Sequence, residues 1–459
     1  MIASEINQLV EQQKAYFKTG ITLSIKRRKE YLNKLKKSIL KYMEDIHQAL
    51  HLDLGKSEEE SYMCETGLVL NNLRYILKHL NHFSKPKRVK TPLAHAVSKS
   101  FIVPSPYGAV LIMSPWNYPF LLSMDPLIEA LAAGNVVLLK TSEYANHTNQ
   151  LIKKIINEVF TKEYVSVVLG GYEENKILLE IAFDYVFFTG SKKVGKLVYE
   201  KQSSFMTPVT LELGGKSPCI VDETADLALA AKRIVWGKFL NCGQTCVAPD
   251  YILCSKSIEK KLTEELKKQI QKQYGTTPLE NEHYGNIINE HHFKRLISLM
   301  DTSKIVYGGK TDAEKLKIEP TLLSQIDYDS NMMQEEIFGR LLPIIPYSNF
   351  DEAMNLISSL DAPLALYIFS KDKKKIKFVL NTIGFGGGCV NDVVIHLATP
   401  YLPFGGFKAS GLGAYHGRKG FETFSHFKSI VDKKTWLDLP MRYQPYKKIY
   451  SKLIRFFIR

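Results

Sequence analysis

Two patterns of hydrophobic and polar positions divide the chain. Over residues 1–85, apolar residues recur at spacings of three and four, most clearly at 21–51 and 58–82, and this predicts amphipathic helices. From Pro106 onward, short apolar and β-branched runs alternate with helical patterns. That alternation predicts βαβ units around a buried parallel sheet.

Individual elements follow from the alternating region. The predicted strands and helices occupy residues 110–113, 126–133, 135–140, 147–160, 165–169, 173–181 and 185–188, in the order βαβαβαβ. Gly134, directly after the first of these helices, is typical of a helix C-terminus. A second alternating stretch begins near Thr207 and continues to about Asp392. We therefore expect an α/β protein with two Rossmann-like lobes in tandem.

Composition narrows the class of protein. A chain of 459 residues with 45% hydrophobic and 24% charged residues is ordinary for a globular protein of two or three domains. Six scattered cysteines without a CxxC pair argue against a zinc site or a disulfide framework and for a reducing compartment. The first 20 residues lack a secretory pattern, and no apolar run reaches the ~18 residues of a membrane span. These features predict a cytoplasmic protein without a metal.

The net charge of +14 favours contact with anions. Nucleic acid and an anionic membrane surface are the two specific candidates. The sequence contains no zinc finger and no aromatic RNA-binding motif, so we expect no nucleic-acid partner.

The main chemical candidate is Cys246, which follows Gly243, Gln244 and Thr245 between a predicted helix at 225–238 and a strand at 250–254. A thiol needs an electropositive environment to act as a nucleophile near neutral pH. A cysteine taken alone is more often a buried packing residue. Here, however, the sequences SPWNYP at 114–119 and ELGGK at 212–216 precede it.

Two strand ends carry candidate cofactor contacts. Thr189, Gly190 and Ser191 follow a predicted strand and open a helix, whose N-terminus can bind phosphate. This spacing is weak evidence alone, because no GxGxxG fingerprint is present. At the end of another strand, Lys140 and Glu143 can bind ribose hydroxyls, and the carboxylate disfavours a 2′-phosphate. The alternative for Glu143 is a position beside a helix N-cap.

Together these stretches resemble the aldehyde dehydrogenase superfamily. The similar motifs are KTSE at 140–143, FTGS with VG at 188–195, ELGGKSP at 212–218, GQTC at 243–246, QEEIFG at 334–339 and LPFGG at 402–406. The compact length, CVAPDY at 246–251 and RYQPY at 442–446 resemble class 3 enzymes. Those enzymes oxidise hydrophobic aldehydes, aliphatic, aromatic or isoprenoid, use NAD or NADP, and usually form homodimers.

The resemblance implies a role for each matching residue. Cys246 would attack the aldehyde, Asn117 would stabilise the oxyanion together with the Cys246 N–H, and Glu212 would activate the water that hydrolyses the thioester. Glu336 is a second candidate for this base. Cofactor contacts are implied for Ser114, Trp116, Lys140, Ser142, Glu143, Thr189, Gly190, Ser191, Val194, Gly195, Leu213, Glu336 and Phe338.

Other interpretations stay open. Singly, Asn117 could be a turn residue, Glu212 a surface strand residue and Glu336 a carboxylate at a helix end. A CoA-acylating enzyme, or a non-catalytic protein that binds lipids or anions, would be built on the same fold. The chain also departs from the family pattern at Cys242, where Ala or Ser is usual, and at Arg340, where proline is usual.

The domains are expected as follows: a cofactor-binding domain at 1–85 and 106–212, a catalytic domain at 213–394, a bridging element at 86–105 and 395–430 that the resemblance assigns to oligomerisation, and a tail at 431–459. From Leu439 onward the tail has no acidic residue. Its apolar residues Ile449, Tyr450, Leu453, Ile454 and Phe457 share a helical face, with Lys448, Lys452, Arg455 and Arg459 beside it. This pattern predicts either a peripheral membrane anchor or a helix docked on its own protein.

Overall fold

The computed structural model describes residues 2–458, except for the side chain of Phe457, and Arg459 lies outside it. The helices are α1 (Ala3–Lys18), α2 (Ile25–Lys41), α3 (Met43–Leu54), α4 (Glu58–Ser61), α5 (Gly67–Phe83), α6 (Leu121–Ala133), α7 (Asn146–Val159), α8 (Tyr172–Leu179), α9 (Lys192–Ser203), α10 (Leu227–Phe239), α11 (Glu259–Tyr274), α12 (Glu290–Leu299), α13 (Asn331–Gln334), α14 (Phe350–Ser359), α15 (Lys373–Thr382), α16 (Gly417–Thr423) and α17 (Lys448–Phe457).

The strands are β1 (Lys87–Val89), β2 (Ser98–Pro106), β3 (Ala109–Met113), β4 (Val136–Lys140), β5 (Val165–Val168), β6 (Tyr185–Thr189), β7 (Val209–Glu212), β8 (Pro218–Val221), β9 (Tyr251–Ser255), β10 (Ile305–Tyr307), β11 (Thr311–Asp312), β12 (Lys317–Ile318), β13 (Thr321–Leu323), β14 (Leu341–Tyr347), β15 (Ala365–Phe369), β16 (Gly387–Val390), β17 (Gly411–Leu412) and β18 (Ser425–Lys433).

The first lobe is built on a six-stranded sheet in the order β17-β7-β6-β3-β4-β5. Its strands run parallel except β17, which pairs antiparallel with β7. β3 and β4 are entirely buried, as their continuous apolar sequences predict for a parallel sheet covered on both faces. β4, the next strand in the chain, pairs with one side of β3, whereas β6 pairs with its other side. This reversal creates a crevice at the carboxyl ends of β3 and β6.

The second lobe contains a seven-stranded sheet in the order β10-β13-β14-β9-β8-β15-β16. All of its pairs are parallel except β10 with β13. Two α/β lobes in tandem are therefore confirmed, and the strands predicted in the first lobe lie within two residues of their observed ends.

A separate antiparallel sheet has the order β1-β2-β18. It joins residues 87–106, which directly precede β3, to residues 425–433 near the C-terminal end of the chain. All nine residues of β18 pair with β2, from Ser425 with Pro106 to Lys433 with Ser98. The first part of the predicted bridging element, at residues 87–89, thus forms an edge strand. The domain boundaries themselves stay predictions. Phe457 and Arg459, two residues of the predicted tail pattern, lie outside the described side chains.

The helix predicted to begin at Pro126 begins at Leu121. Proline is usually found in the first turn of a helix, because it lacks an N–H and clashes with the preceding turn. Here Pro126 lies inside α6. The first turn is stabilised instead by a distant side chain, since Glu65 accepts hydrogen bonds from the N–H groups of Phe120 and Leu121. Local sequence carries no signal for such a contact.

Candidate active site

One cavity of about 1010 Å³ lies at the carboxyl ends of β3, β6 and β7, and the loop that carries Cys246 forms part of its wall. The predicted site residues that line it are Trp116, Asn117, Thr189, Gly190, Ser191, Glu212, Leu213, Cys246, Glu336 and Phe338. They come from five segments that are far apart in the chain. The fold therefore brings together all three predicted catalytic residues and seven of the predicted cofactor contacts.

The loop before Cys246 has an unusual backbone. Asn241, Cys242 and Gly243 follow one another with φ values of 48°, 61° and 75°. The left-handed region is costly for residues with a side chain, and such strain is found mainly where the surrounding structure enforces it. A Cβ on Gly243 would lie 2.2 Å from the carbonyl oxygen of Gly339, so that position admits no side chain. The turn presents the half-buried Cys246 to the cavity.

Asn117 is 4% exposed and follows β3. Its Nδ2 donates to the Gln244 carbonyl at 3.0 Å, which places the amide beside the segment carrying the thiol. The backbone N–H groups of Cys246 and Val247 face the sulfur. Amide donors from two segments thus lie near the thiol, and donors of this kind can stabilise the negative oxygen that forms when a carbonyl is attacked.

Glu212 ends β7 and is only 2% exposed, so it is no surface residue. Both of its carboxylate oxygens are buried, and neither has a hydrogen-bond partner among residues 2–458. Burial first, and then the nearby Glu129, raise the pKa of Glu212 well above its usual value. An unpaired buried carboxyl group at a cavity wall is available to exchange a proton with a bound molecule.

Glu336 lies against the backbone of Gly214 and Gly215, the segment that follows β7. A Cβ built on Gly214 would be 2.0 Å from Glu336 Oε2. Its segment is anchored by Asp250, whose Oδ1 accepts from the Ile337 N–H at 2.9 Å. Burial, and then Asp250, raise the pKa of Glu336 to about 8.

The surroundings of the thiol favour its protonated form. Burial raises the pKa of Cys246 to about 12, and the electrostatic interaction with the Glu336 and Glu212 carboxyl groups acts in the same direction. The two N–H groups near the sulfur oppose this shift without overcoming it. The expected electropositive surrounding is thus absent from the residues that the structure describes around this thiol, and two acids occupy its place.

One wall of the cavity suits a dinucleotide. Ser191 caps α9 by accepting from the Val194 N–H at 3.4 Å, and the helix N-terminus there offers N–H groups to an anion. Thr189 Oγ1 is buried without a partner in the described chain, so it can bond a ligand. The Trp116 and Phe338 rings meet edge to face at 5.5 Å on the same wall. The residues present therefore fit NAD or NADP.

The structure places six predicted cofactor contacts outside this cavity: Ser114, Lys140, Ser142, Glu143, Val194 and Gly195. Lys140 Nζ donates to the carbonyls of Thr141 and Gly170 at 2.6 and 2.7 Å. Gly195 has a packing role, because a Cβ there would lie 2.5 Å from Leu213. Their roles in cofactor binding stay predictions.

The sequence did not predict the apolar end of the cavity. Its wall is formed largely by Met63, Leu68, Tyr118, Leu121, Leu122, Trp236, Leu240, Val394, Ile395, Leu397, Phe404 and Tyr415. These side chains come from helices of the first lobe, from α10 and from the loops after β16. Each resembles an ordinary core residue in its own segment, so no local signal identifies the group.

Comparison with known proteins agrees with this geometry. The sequence profile of the Aldehyde dehydrogenase family matches residues 2–430. The chain is 47% identical over 454 residues to the 4,4'-diaponeurosporen-aldehyde dehydrogenase of Staphylococcus aureus (strain NCTC 8325 / PS 47), covering 98% of this chain and 99% of that protein. It is 43% identical over 428 residues to the dimeric NADP-preferring aldehyde dehydrogenase of Mus musculus, covering 93% and 94%.

A solved structure of Staphylococcus aureus AldH in a substrate-bound state superposes with a TM-score of 0.97 at 47% sequence identity, and the match covers 99% of each chain. The profile, the relatives and the cavity thus agree. The chain belongs to the aldehyde dehydrogenase family and is an NAD(P)-dependent oxidoreductase.

Proposed function

We propose that this protein oxidises a long hydrophobic aldehyde to its carboxylic acid through a thioester on Cys246. One observation carries the proposal: Cys246, Asn117 and Glu212 line the same cavity as a large apolar wall. The wall supplies the binding energy for an apolar chain, at roughly 25 cal/mol per Å² of buried apolar surface. The polar end holds the groups that act on the carbonyl.

The first step forms a bond between Cys246 Sγ and the carbonyl carbon, and the electron pair of the C=O bond moves to oxygen. We assign the stabilisation of that oxygen to Asn117 Nδ2 and the Cys246 N–H, because the Asn117 amide is bonded to Gln244, two residues before Cys246, and the N–H faces the sulfur. The thiol proton must leave as the bond forms, because the pKa of Cys246 is raised to about 12. Glu212 and Glu336 are the two carboxyl groups near the thiol, and either can receive this proton only in its ionised form, whose formation the raised pKa of each group shifts to higher pH.

Trp116, Thr189, Ser191, Leu213, Glu336 and Phe338 would hold the dinucleotide. Bound NAD or NADP supplies the hydride acceptor, and this oxidation leaves a thioester on Cys246. The Trp116 and Phe338 rings are in edge-to-face contact and line the cavity beside these residues.

Hydrolysis then needs a base that removes a proton from water. We assign this role to Glu212, because both of its oxygens lack partners in the described chain, whereas Glu336 lies against the Gly214–Gly215 backbone. The water oxygen bonds to the thioester carbon, its proton passes to Glu212, and the carbon–sulfur bond breaks. The departing sulfur takes a proton and restores the thiol.

The apolar wall favours substrates with long carbon chains, which include fatty and isoprenoid aldehydes. The staphylococcal relative is named for 4,4'-diaponeurosporen-aldehyde, and this supports testing polyene aldehydes beside saturated ones.

Two single variants test the chemistry. Cys246→Ala should abolish NAD(P)H formation from decanal while the dissociation constant of NAD, followed by protein fluorescence, stays within about twofold. Glu212→Gln should release one NAD(P)H per active site in a burst and then turn over about 10²–10⁴-fold more slowly. Residual dehydrogenase turnover in the alanine variant contradicts the nucleophile assignment. A burst in Glu336→Gln but not in Glu212→Gln would move the base to Glu336.

A homodimer is part of the proposal. β18 lies at the edge of its sheet, and its residues Phe427, Ile430 and Val431 are exposed. A nine-residue strand with an open edge and exposed apolar side chains favours pairing with another chain. The murine relative named dimeric supports a second copy as the partner.

We also propose that the tail contacts anionic membrane surfaces. α17 carries the exposed apolar side chains of Ile449 and Leu453 together with Lys448, Lys452 and Arg455. A helix with this arrangement lies in the plane of a membrane interface. Among the described residues, no helix is long and apolar enough to cross a membrane.

A further inference from the structure

A buried ion pair lies behind the site, outside the cavity wall. Lys56 Nζ contacts Glu65 Oε1, and the side chains of the two residues are 1% and 0% exposed. Removing two charges from water costs several kcal/mol per ion, so a buried pair is weak evidence for a stabilising role. The contacts that the pair makes with neighbouring backbone groups therefore indicate its role.

Lys56 bonds the backbone of the residue proposed to hold the oxyanion. Its Nζ donates to the Asn117 carbonyl oxygen at 3.1 Å. The same ammonium lies 4.2 Å from the ring centroid of Tyr118, the next residue in the chain. One cation thus fixes both the carbonyl of Asn117 and the ring that follows it.

Glu65 fixes the other end of the same loop. Its Oε2 accepts hydrogen bonds from the N–H groups of Phe120 and Leu121 at 2.8 and 3.1 Å. These N–H groups open α6 and have no intrahelical acceptor. Glu65 lies in a π-helical turn, Tyr62–Thr66, between α4 and α5. Such turns occur frequently at functional sites.

The loop is joined to the nucleophile segment as well. Asn241 Nδ2 donates to the Asn117 carbonyl at 2.7 Å, so that oxygen receives two donors. The Tyr118 hydroxyl and Thr245 Oγ1 are 2.6 Å apart, directly before Cys246. A shift of the Asn117 backbone would therefore change the distance between the amide and the thiol.

We propose that Lys56 and Glu65 are positioning residues that hold Asn117 at the distance from Cys246 that the oxyanion requires. This inference rests on the proposed role of Asn117. Neither residue touches the cavity, so neither contacts substrate or cofactor. A displacement of about 1 Å in an active-site group can reduce the rate about 10²-fold.

The double variant Lys56→Met/Glu65→Gln tests this, because it removes both charges at nearly constant volume. We expect kcat to fall about 10- to 100-fold, while the KM for decanal and the dissociation constant of NAD stay within about twofold. Lys41→Met/Glu158→Gln is the matched control, since it removes an exposed ion pair of 3.0 Å. That control should keep the wild-type kcat.

Introducing the two substitutions Lys56→Met and Glu65→Gln into an Asn117→Ala variant distinguishes an effect on the position of Asn117 from a general loss of active structure. If the pair acts through Asn117, it should cause less than about a twofold further loss there. An unchanged kcat in the wild-type background, or an equal loss in both backgrounds, would overturn the inference alone. Full activity in Asn117→Ala by itself would instead refute the proposed role of Asn117.

If the double variant does not fold, the single variant Lys56→Met is used for the same test. Glu65 then keeps its two backbone N–H donors at the N-terminus of α6, where a carboxylate is favourable. Circular dichroism and the Tm establish folding, and the same comparison of kcat in the two backgrounds decides the question.

Discussion

Arg340 donates a hydrogen bond from Nη2 to Cys242 Sγ, so two of the positions at which the chain departs from the family pattern contact each other. The same nitrogen donates to the Gly285 carbonyl at 2.8 Å, and the guanidinium lies 3.1 Å from the ring centroid of Tyr284. Cys242 is 3% exposed and does not line the cavity. Arg340 thus contacts the left-handed turn before Cys246 from outside the cavity wall.

Gly243→Ala should disrupt this turn. The residue has φ 75°, and an added Cβ would lie 2.2 Å from the Gly339 carbonyl oxygen. We expect a lower Tm and a large loss of kcat, measured by thermal unfolding and NAD(P)H absorbance.

Gly275→Ala is the matched control for that change. Gly275 has φ 82° and ψ −176°, a conformation essentially restricted to glycine, with nothing within 4 Å of an added Cβ, so only a backbone cost of about 1–3 kcal/mol applies. Its kcat should stay at the wild-type level. Equal effects of the two substitutions on Tm and kcat would show that the contact with Gly339 is unimportant.

Glu336→Gln should stabilise the protein increasingly as the pH rises. The pKa of Glu336 is about 8 in the folded protein and about 4.5 when unfolded, so folding favours the neutral form. The stability that this shift contributes is complete below pH 4.5 and is lost as the pH rises through 8. Glutamine stays neutral throughout.

The difference in Tm between Glu336→Gln and the wild type should therefore become more positive from pH 5 to pH 9. Glu335→Gln, a substitution at the adjacent exposed carboxylate, controls for a general loss of charge. A difference in Tm that falls with pH would contradict a raised pKa at Glu336.

Ile430→Glu/Val431→Glu should weaken the dimer, because the charges would lie on the exposed edge strand β18. Light scattering after size exclusion should give twice the chain mass of 52.3 kDa for the wild type and a smaller mass for the variant. Leu40→Glu changes a similarly exposed apolar residue on α2 and should leave the mass unchanged. A monomeric wild type would end the dimer proposal.

The tail should bind phosphatidylglycerol vesicles more strongly than phosphatidylcholine vesicles, because its polar face is basic. Ile449→Glu/Leu453→Glu should abolish co-sedimentation, and 0.5 M salt should weaken it by screening. Leu52→Glu, at another exposed leucine, is the control. Equal sedimentation of the wild type and the tail variant would indicate that α17 docks on the protein instead.

The sequence alone predicted the strands of the first lobe and named the candidate catalytic residues. The apolar runs that became β3 and β4 had one stable arrangement, because a strand buried on both faces must be central to a covered sheet. Cys246, Glu212 and Asn117 were identified as candidates because the motifs that contain them, taken together and in order, resemble those of the aldehyde dehydrogenase family. Short-range sequence patterns were therefore enough to predict most of the fold and to name the candidate nucleophile.

Tertiary structure alone decided what surrounds those residues. Lys56 reaches Asn117 across 61 positions of the chain, and Asn117 reaches Gln244 across 127. The high pKa of the Cys246 thiol likewise depends first on its burial and then on Glu336 and Glu212, which approach it only in the folded chain. A hydrogen bond needs its atoms within a few ångströms, and a charge effect weakens with distance. Distances in the folded chain therefore determine both interactions, and separations in the sequence do not.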